Sequence, residues 1–293
     1  MKSPMRFIST AVVIALLGPA YAGFSQTQDR PSGFNLFSPE QDIEVGRRAA
    51  QQAERQLPLS RDRRAERFLN EVVRQLADTA PGHRYPYQAR LVDASDINAF
   101  ALPGGFMYVN RGLLQSVRSE AELAGVLGHE MAHVALRHGT QQASKAYAAQ
   151  AGLGILGRLL GREGDRDRQV VEAVGGLGLS AVFLKFGRDA ENQADRVGVR
   201  MIAEAGYDPR ELARFFGLLQ QQRGRNPNAV ERFLSDHPAP ADRVQRVQAE
   251  ASRYRGGRRA IVGGIEEVQQ SLRLQPAARS TAQILGQGQG RSR

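Results

Sequence analysis

Two histidines and a glutamate stand at a spacing that suits metal binding. The segment His129-Glu130-Met131-Ala132-His133 lies inside an apolar helical pattern that runs from Ser119 to Arg137. Positions four apart on a helix differ by ~40° around the axis, so both imidazoles project from one face and can share a zinc ion. Glu130 is one position round, where its carboxylate can serve as a general base toward water. A pair of core-facing histidines is the alternative.

A catalytic zinc takes three protein ligands and keeps one position open, so this pattern requires a third ligand. One class of zinc peptidase has a glycine three residues and a histidine six residues after the second histidine. Leu136 and Gly139 occupy those positions here, which excludes that class. His138 is turned ~140° away from His133 on a regular helix, so it is not expected in the site.

A carboxylate from a later helix is the remaining option for the third ligand. Glu191 and Asp195 are four residues apart and hence on one helix face. Such a pair would supply one ligand and one acceptor for a histidine ring N–H. Spacing alone is weak support, because this pattern is common on solvated helix faces.

The chain resembles metallopeptidase family forty-eight in four motifs that occur in the family's order. These motifs are the segment from Asn98 to Gly105, the segment from His129 to His133, the segment from Arg188 to Asp195, and Asp236-His237-Pro238. The resemblance covers about Gln41 to Tyr254. It is closest to the family's soluble periplasmic branch, without the helical-repeat C-terminal domain of that branch.

The resemblance implies an α+β, mostly helical domain of the zincin-like (gluzincin) type, with a small β-sheet and the metal-binding helix. The implied ligands of one Zn²⁺ are His129, His133 and Glu191. Glu130 is then the general base, and Asp195 falls on an orienting or proton-donating carboxylate, of which we favour the orienting role. His237 falls on a histidine that assists the transition state or blocks the metal as a fourth ligand. Asp236 stands where threonine is more usual in the family.

Short strands are expected on both sides of Leu102-Pro103-Gly104-Gly105, over residues 98–102 and 106–110. The first strand could accept an extended substrate by edge pairing, because main-chain hydrogen bonds give affinity without demanding a sequence. The predicted substrate-binding residues are Asn98, Ala99, Phe100 and Ala101. An ordinary core hairpin is the alternative.

The resulting hypothesis is a zinc metalloendopeptidase that acts on peptide bonds. The resemblance implies quality control of unfolded or misfolded envelope proteins, with outer-membrane assembly components as further partners. The alternative is a chaperone-like envelope protein whose zinc site is held inactive by His237.

Helices and one loop are expected around these motifs from apolar spacing, capping residues and breakers. The expected helices are residues 39–56, a second helix capped by Ser60, residues 119–137, 187–206, 208–222 and 240–254. Ser38 and Gln41 predict a capping box at the start of the first helix. From residue 256 onward a loosely held tail is expected, with residues 261–274 as a candidate docked element. Residues 223–236 are expected to form a loop.

The first 22 residues have the features of a secretory signal peptide. Lys2 and Arg6 precede an apolar run of about a dozen residues, and a small-residue site ends at Ala22. The run is shorter than the ~20 residues that span a bilayer, so an uncleaved anchor is the weaker interpretation. We therefore expect an exported, periplasmic or secreted protein with no transmembrane span after cleavage. The expected order is signal peptide (1–22), linker (23–37), peptidase domain (38–254) and Arg/Gly/Gln-rich tail (255–293).

The net charge of +10 comes from 40 Lys and Arg residues against 30 Asp and Glu residues in 293 residues. Such an excess of basic residues is typical of proteins that bind nucleic acid. Only three of the basic residues are lysine, however, and much of the excess lies after Ala251, where solvated disorder is expected. Together with the export signal, this argues against nucleic acid. The absence of cysteine excludes disulfides and thiolate zinc ligands.

Overall fold

The computed structural model describes residues 33–159, 186–238 and 242–284. The predicted signal peptide and most of the predicted linker lie outside these ranges. Within them, no helix is long and apolar enough to cross a membrane.

The six expected α-helices are present in the expected order, and the described ranges contain four more. In chain order the helices are α1 (Pro39–Glu54), α2 (Arg63–Ala77), α3 (Arg111–Ser116), α4 (Glu120–Ala135), α5 (His138–Leu159), α6 (Arg188–Glu204), α7 (Arg210–Arg225), α8 (Pro227–Asp236), α9 (Arg243–Ala251) and α10 (Ile265–Arg273). Together with a three-stranded sheet they form the mostly helical α+β fold that the sequence predicts.

Local capping sets the starts of the first two helices. At α1, the Ser38 hydroxyl accepts a hydrogen bond from the Gln41 backbone N–H, and the Gln41 side chain accepts one from the Ser38 N–H. This capping box was predicted. The cap of α2 is Asp62 rather than Ser60, because the Asp62 carboxylate reaches the backbone N–H groups of Arg64 and Ala65.

The sheet has the order β1-β3-β2, with β1 (Gln88–Val92), β2 (Ala99–Leu102) and β3 (Phe106–Asn110). β1 runs parallel to β3, and β2 pairs antiparallel with β3. A short 3₁₀ turn, Pro103–Gly105, joins β2 to β3, and the positive φ angles of its two glycines make the corner possible. Among the described strands, β2 is therefore an edge strand.

The metal-motif helix α4 lies at the centre of the fold, and every one of its residues is buried. It packs closely on α6 because both helices have a glycine at the crossing. A Cβ on Gly198 would lie 3.1 Å from the His129 Cα, and a Cβ on Gly128 would lie 2.7 Å from Ile202 Cγ2. This close approach brings side chains from the first turns of α6 within reach of the histidines.

The predicted loop at residues 223–236 is wrong, because most of it forms α8. Pro227 occupies the first turn, where its missing N–H costs nothing. Val230 and Phe233 are buried three residues apart on one face of the helix, and Leu234 is partly buried beside them. His237 follows directly as the C-terminal cap of α8.

Within the segment after residue 256, the candidate docked element at 261–274 is held against the domain rather than loose. In α10, Ile265, Val268 and Leu272 are buried against the core. The buried Glu120 carboxylate, at the start of α4, accepts hydrogen bonds from the backbone N–H groups of Ile261, Val262 and Gly263. Apolar spacing and a backbone-binding carboxylate thus hold this segment, despite its arginine content.

Candidate metal centre and active site

His129 and His133 lie one helical turn apart on α4, and their rings are buried. Their Nε2 atoms are 3.2 Å apart. Both Nε2 atoms therefore face the same point, as the spacing of the motif predicts.

Glu191 comes to the same point from the first turn of α6. Its Oε1 lies 3.4 Å from His133 Nε2, and its Oε2 lies 3.5 Å from His129 Nε2. The carboxylate is buried, and the surrounding rings hold its pKa below the usual range although burial opposes this. Glu191 is therefore available as a charged oxygen ligand.

His237 enters from the end of α8. Its Nδ1 lies 3.0 Å from Glu191 Oε1 and 3.4 Å from His129 Nε2. Each of His129, His133, Glu191 and His237 offers a ligand atom, and these atoms all lie within 4.8 Å of one another. All four residues are buried.

This donor set fits zinc. Two imidazole nitrogens and a carboxylate oxygen are the ligands of one type of catalytic zinc site, and a fourth position then remains for water or another group. His237 offers a further ring nitrogen in the same group of atoms. Thiolate ligands are absent from the sequence, so a soft-metal site is excluded.

Glu130 points toward the same space. Its Oε1 lies 3.3 Å from His237 Nε2, and it accepts no conventional hydrogen bond from the part of the chain described here. Burial raises the pKa of the Glu130 carboxyl. A buried carboxylate with spare acceptor capacity and a raised pKa is suited to accept and return a proton.

Asp195 lies one turn beyond Glu191 on α6, behind His129. Its Oδ1 is 3.0 Å from His129 Nδ1. Burial alone would lower the pKa of His129, but hydrogen bonds to Asp195 and Glu191 outweigh it and raise that pKa to about 9. With Nδ1 bonded to a carboxylate, the His129 ring has its Nε2 directed to the metal position.

Arg243, which the sequence interpretation missed, is a buried cation beside the ligands. Its Nη2 lies 2.8 Å from Asp195 Oδ1 and 2.9 Å from Glu191 Oε2, and its guanidinium covers the ring of Phe216 at 4.1 Å. One signal was present in the sequence. Arg243 heads a stripe of residues four apart on α9 whose other members, Val247 and Ala251, are apolar.

His138, which a regular helix would turn away, also reaches the site. The helix ends at Ala135, and Arg137 takes a positive φ of 62°, so α5 starts in a new direction. His138 Nδ1 then lies 3.0 Å from His133 Nδ1. Burial lowers the pKa of His138 to about 4. The regular helix predicted through Arg137 is interrupted, and this break brings His138 to the Nδ1 side of the His133 ring rather than to the grouped ligand atoms.

The strand residues predicted to bind substrate are divided between the two faces of the sheet. Ala101 lines a small cavity together with His133 and Phe186. Phe100 stacks on Tyr108 at 5.0 Å, and Ala99 and Asn98 are buried. The side chain of Ala101 thus lies beside His133, whereas that of Phe100 lies on the opposite face of the sheet against Tyr108.

The fold and site together define a zincin-like metallopeptidase domain: a helix with paired histidines and a glutamate, a carboxylate from a later helix, and an edge strand nearby. Comparison with known proteins agrees. The chain belongs to Peptidase family M48, whose family model matches residues 61–251.

Several relatives carry protease names. The chain is 26% identical over 259 residues to the beta-barrel assembly-enhancing protease of Escherichia coli (strain K12), covering 87% of this chain and 53% of that protein. It is 31% identical over 189 residues to the metalloprotease LoiP of the same organism, covering 61% of this chain and 68% of that protein. The mitochondrial metalloendopeptidase OMA1 of Arabidopsis thaliana is 34% identical to it over 155 residues, covering 52% of this chain and 29% of that protein. The chain therefore spans about half the length of the assembly-enhancing protease.

Proposed function

We propose that this protein is an exported zinc-dependent metalloendopeptidase, with one zinc held by His129, His133 and Glu191. The observation that carries the proposal is the convergence of four buried ligand atoms within 4.8 Å, beside a Glu130 oxygen that accepts no conventional hydrogen bond from the described residues. Arg243 already offsets charge on Glu191, so the support for a metal comes from the donor types: imidazole nitrogens and a carboxylate oxygen are the ligands of catalytic zinc.

When bound, zinc would polarise the scissile carbonyl and lower the pKa of a water molecule toward neutrality. Glu130 accepts the proton of that water and returns it to the leaving amine. Asp195 fixes the His129 ring through Nδ1, and Arg243 holds Asp195 and one oxygen of Glu191 in place. His237, whose Nε2 lies 3.3 Å from Glu130 Oε1, would assist the transition state by donating a hydrogen bond to the substrate oxygen.

The substrate is an extended polypeptide that adds to the edge of β2. The outer edge of this strand follows Asn98 to Ala101 past the cavity beside His133. Main-chain hydrogen bonds do not depend on the identity of the side chains, so this mode of binding would accept unfolded chains of varied sequence. One relative is named for enhancing β-barrel assembly, so misfolded envelope proteins and outer-membrane assembly components are the partners we propose. A periplasmic or secreted location follows from the predicted signal peptide.

Zinc content and casein cleavage by the purified protein test this function. We expect one zinc per chain, and we expect Glu130→Gln to retain zinc while losing about 10²–10⁴-fold in cleavage rate. Glu44→Gln, at an exposed ion pair on α1, is the matched control and should cleave normally. If the zinc-loaded protein shows no cleavage, or only cleavage that Glu130→Gln leaves unchanged, the protein is not an active peptidase of this kind. If the purified protein contains no stoichiometric zinc, the proposed zinc site is wrong.

A second candidate function rests on the position of His237. Because its Nδ1 belongs to the same cluster of ligand atoms, it can fill the fourth position and leave a chaperone-like binding protein with a closed site. His237→Ala separates the two functions. Cleavage that appears only in this variant supports the closed resting state, whereas cleavage that falls in this variant supports an assisting role.

A further inference from the structure

His133 is held from behind by a second imidazole rather than by a carboxylate. The Nδ1 atoms of His133 and His138 are 3.0 Å apart. The His138 Nε2 lies 3.4 Å from Gln193 Oε1, at the long end of a hydrogen bond. Phe186 stacks on the face of the His133 ring, with centroids 4.1 Å apart. The ring is therefore enclosed by a face contact and an edge contact.

Metal binding by His133 determines the direction of the hydrogen bonds that join His133, His138 and Gln193. A histidine that gives the lone pair of Nε2 to a metal is neutral and has its proton on Nδ1. His133 must then donate from Nδ1, and His138 must accept at its own Nδ1. His138 consequently has its proton on Nε2, which faces the acceptor oxygen of Gln193. One arrangement of protons satisfies all three side chains.

We propose that His138 is a positioning residue for the zinc ligand His133, acting as a neutral hydrogen-bond acceptor at Nδ1 and itself oriented by Gln193. The two zinc histidines are thus supported differently: His129 by the charged Asp195, and His133 by an uncharged ring. A metal ligand oriented by such a partner loses affinity when the partner is removed. This inference rests on the proposed zinc site.

The backbone break at Arg137 explains how His138 comes to lie there. A non-glycine residue is disfavoured in the left-handed region, because its Cβ comes too close to the following carbonyl oxygen. Here Arg137 is tied to the buried Asp42 by contacts of 2.6 and 3.0 Å, and it also donates to the Phe37 carbonyl. Asp42 in turn accepts a 2.6 Å hydrogen bond from Tyr85. These contacts hold the turn whose effect is to direct the next residue toward His133.

Two amide variants distinguish a positioning role from simple packing. The Oδ1 atom of an asparagine can occupy the place of the histidine Nδ1, whereas the polar atoms of a glutamine reach only the place of Nε2. We expect His138→Asn to bind zinc within about threefold of the wild-type affinity, and His138→Gln and His138→Ala to bind it 10–100-fold more weakly. Zinc affinity is measured by competition with a chromophoric chelator, independently of cleavage.

The outcomes separate this inference from the proposed function. A wild-type protein that binds no zinc overturns both. If the wild type binds zinc and His138→Gln binds it equally well, the positioning role of His138 is refuted. Equal weakening of His138→Asn and His138→Gln also refutes it, because the position of the acceptor would then not matter.

A measurement on the unaltered protein covers the case in which the variants do not fold. Long-range ¹H–¹⁵N spectra distinguish the two neutral histidine tautomers, and the chain has only five histidines to assign. In the zinc-loaded wild type we expect the proton of His133 on Nδ1 and that of His138 on Nε2. A His138 with its proton on Nδ1, or a doubly protonated ring at neutral pH, would overturn the proposal.

Discussion

Glu120 ties the C-terminal segment to the start of the metal-binding helix, so changing it to glutamine is expected to loosen both. Its Oε1 accepts hydrogen bonds from Tyr207 Oη at 2.6 Å and from the N–H groups of Ile261 and Val262 at 2.9 and 2.8 Å. Its Oε2 accepts one from the Gly263 N–H at 2.6 Å. The side chain is fully buried.

The magnitude follows from these four bonds. Hydrogen bonds to a charged group contribute about 1.5–3 kcal/mol each and neutral ones about 0.5–1.5 kcal/mol, so an amide weakens each bond by roughly 1 kcal/mol. The amide also places N–H donors against a backbone donor, while it avoids burying a charge. We expect a net loss of about 3 kcal/mol for Glu120→Gln, which for a domain of this size lowers Tm by roughly 6–12 °C.

Thermal unfolding and hydrogen exchange check this expectation. The amides of residues 261–263 should exchange much faster in Glu120→Gln than in the wild type, because their acceptor is weakened. The exposed Glu44→Gln is the control and should change the free energy of unfolding by less than about 0.5 kcal/mol. A Tm within 1–2 °C of the wild type, with unchanged exchange at 261–263, would refute the claim that this carboxylate holds the segment.

Three further predictions concern the site. Asp195→Asn should destabilise the chelator-treated protein by about 3 kcal/mol at neutral pH, because it removes a negative charge that compensates the buried Arg243. Arg243 and His129 lower the pKa of Asp195 against the effect of burial. The difference in Tm between this variant and the wild type should therefore shrink as the pH falls below about 4, where Asp195 becomes protonated. Gly198→Val should weaken zinc binding, measured by chelator competition, because its side chain meets the His129 backbone, whereas the same change at the open, exposed Gly224 should not. Removing zinc with a chelator should lower Tm, since a ligand at 100 times its Kd stabilises the folded state by about 2.7 kcal/mol; an unchanged Tm would argue against a site that binds zinc in the folded state.

Much of the fold could be read from local patterns. The capping box at Ser38, the strands around Pro103–Gly105 and the start of the metal-motif helix follow from residue types within a few positions, and the structure confirms them. The loop predicted at 223–236 is wrong because α8 is short and buries only Val230 and Phe233, which leaves little periodicity to recognise in the sequence. In the tail, composition predicts loose chain, whereas apolar spacing marks the docked element at 261–274, and the structure supports the latter.

Two residues of the site could not be assigned from the sequence for a different reason. His138 reaches His133 only because the chain turns at Arg137, and that turn depends on Asp42 in a distant helix. Arg243 looks like a surface residue of an amphipathic helix until α9 is packed over Asp195. In both cases the decisive contact joins segments far apart in the chain.

The sequence by itself determined that His129 and His133 share a face with Glu130 beside them, because 3.6 residues per turn sets the geometry within one helix. It also determined that Glu191 and Asp195 form a carboxylate pair on one face of a later helix, but not where that helix lies relative to the histidines. Tertiary structure decided that Glu191, His237 and Arg243 meet at those histidines: the glycines at the crossing let α6 bring Glu191 close, and the packing of α8 and α9 brings His237 and Arg243. Period and capping act over a few residues, whereas a metal site is made by packing between helices.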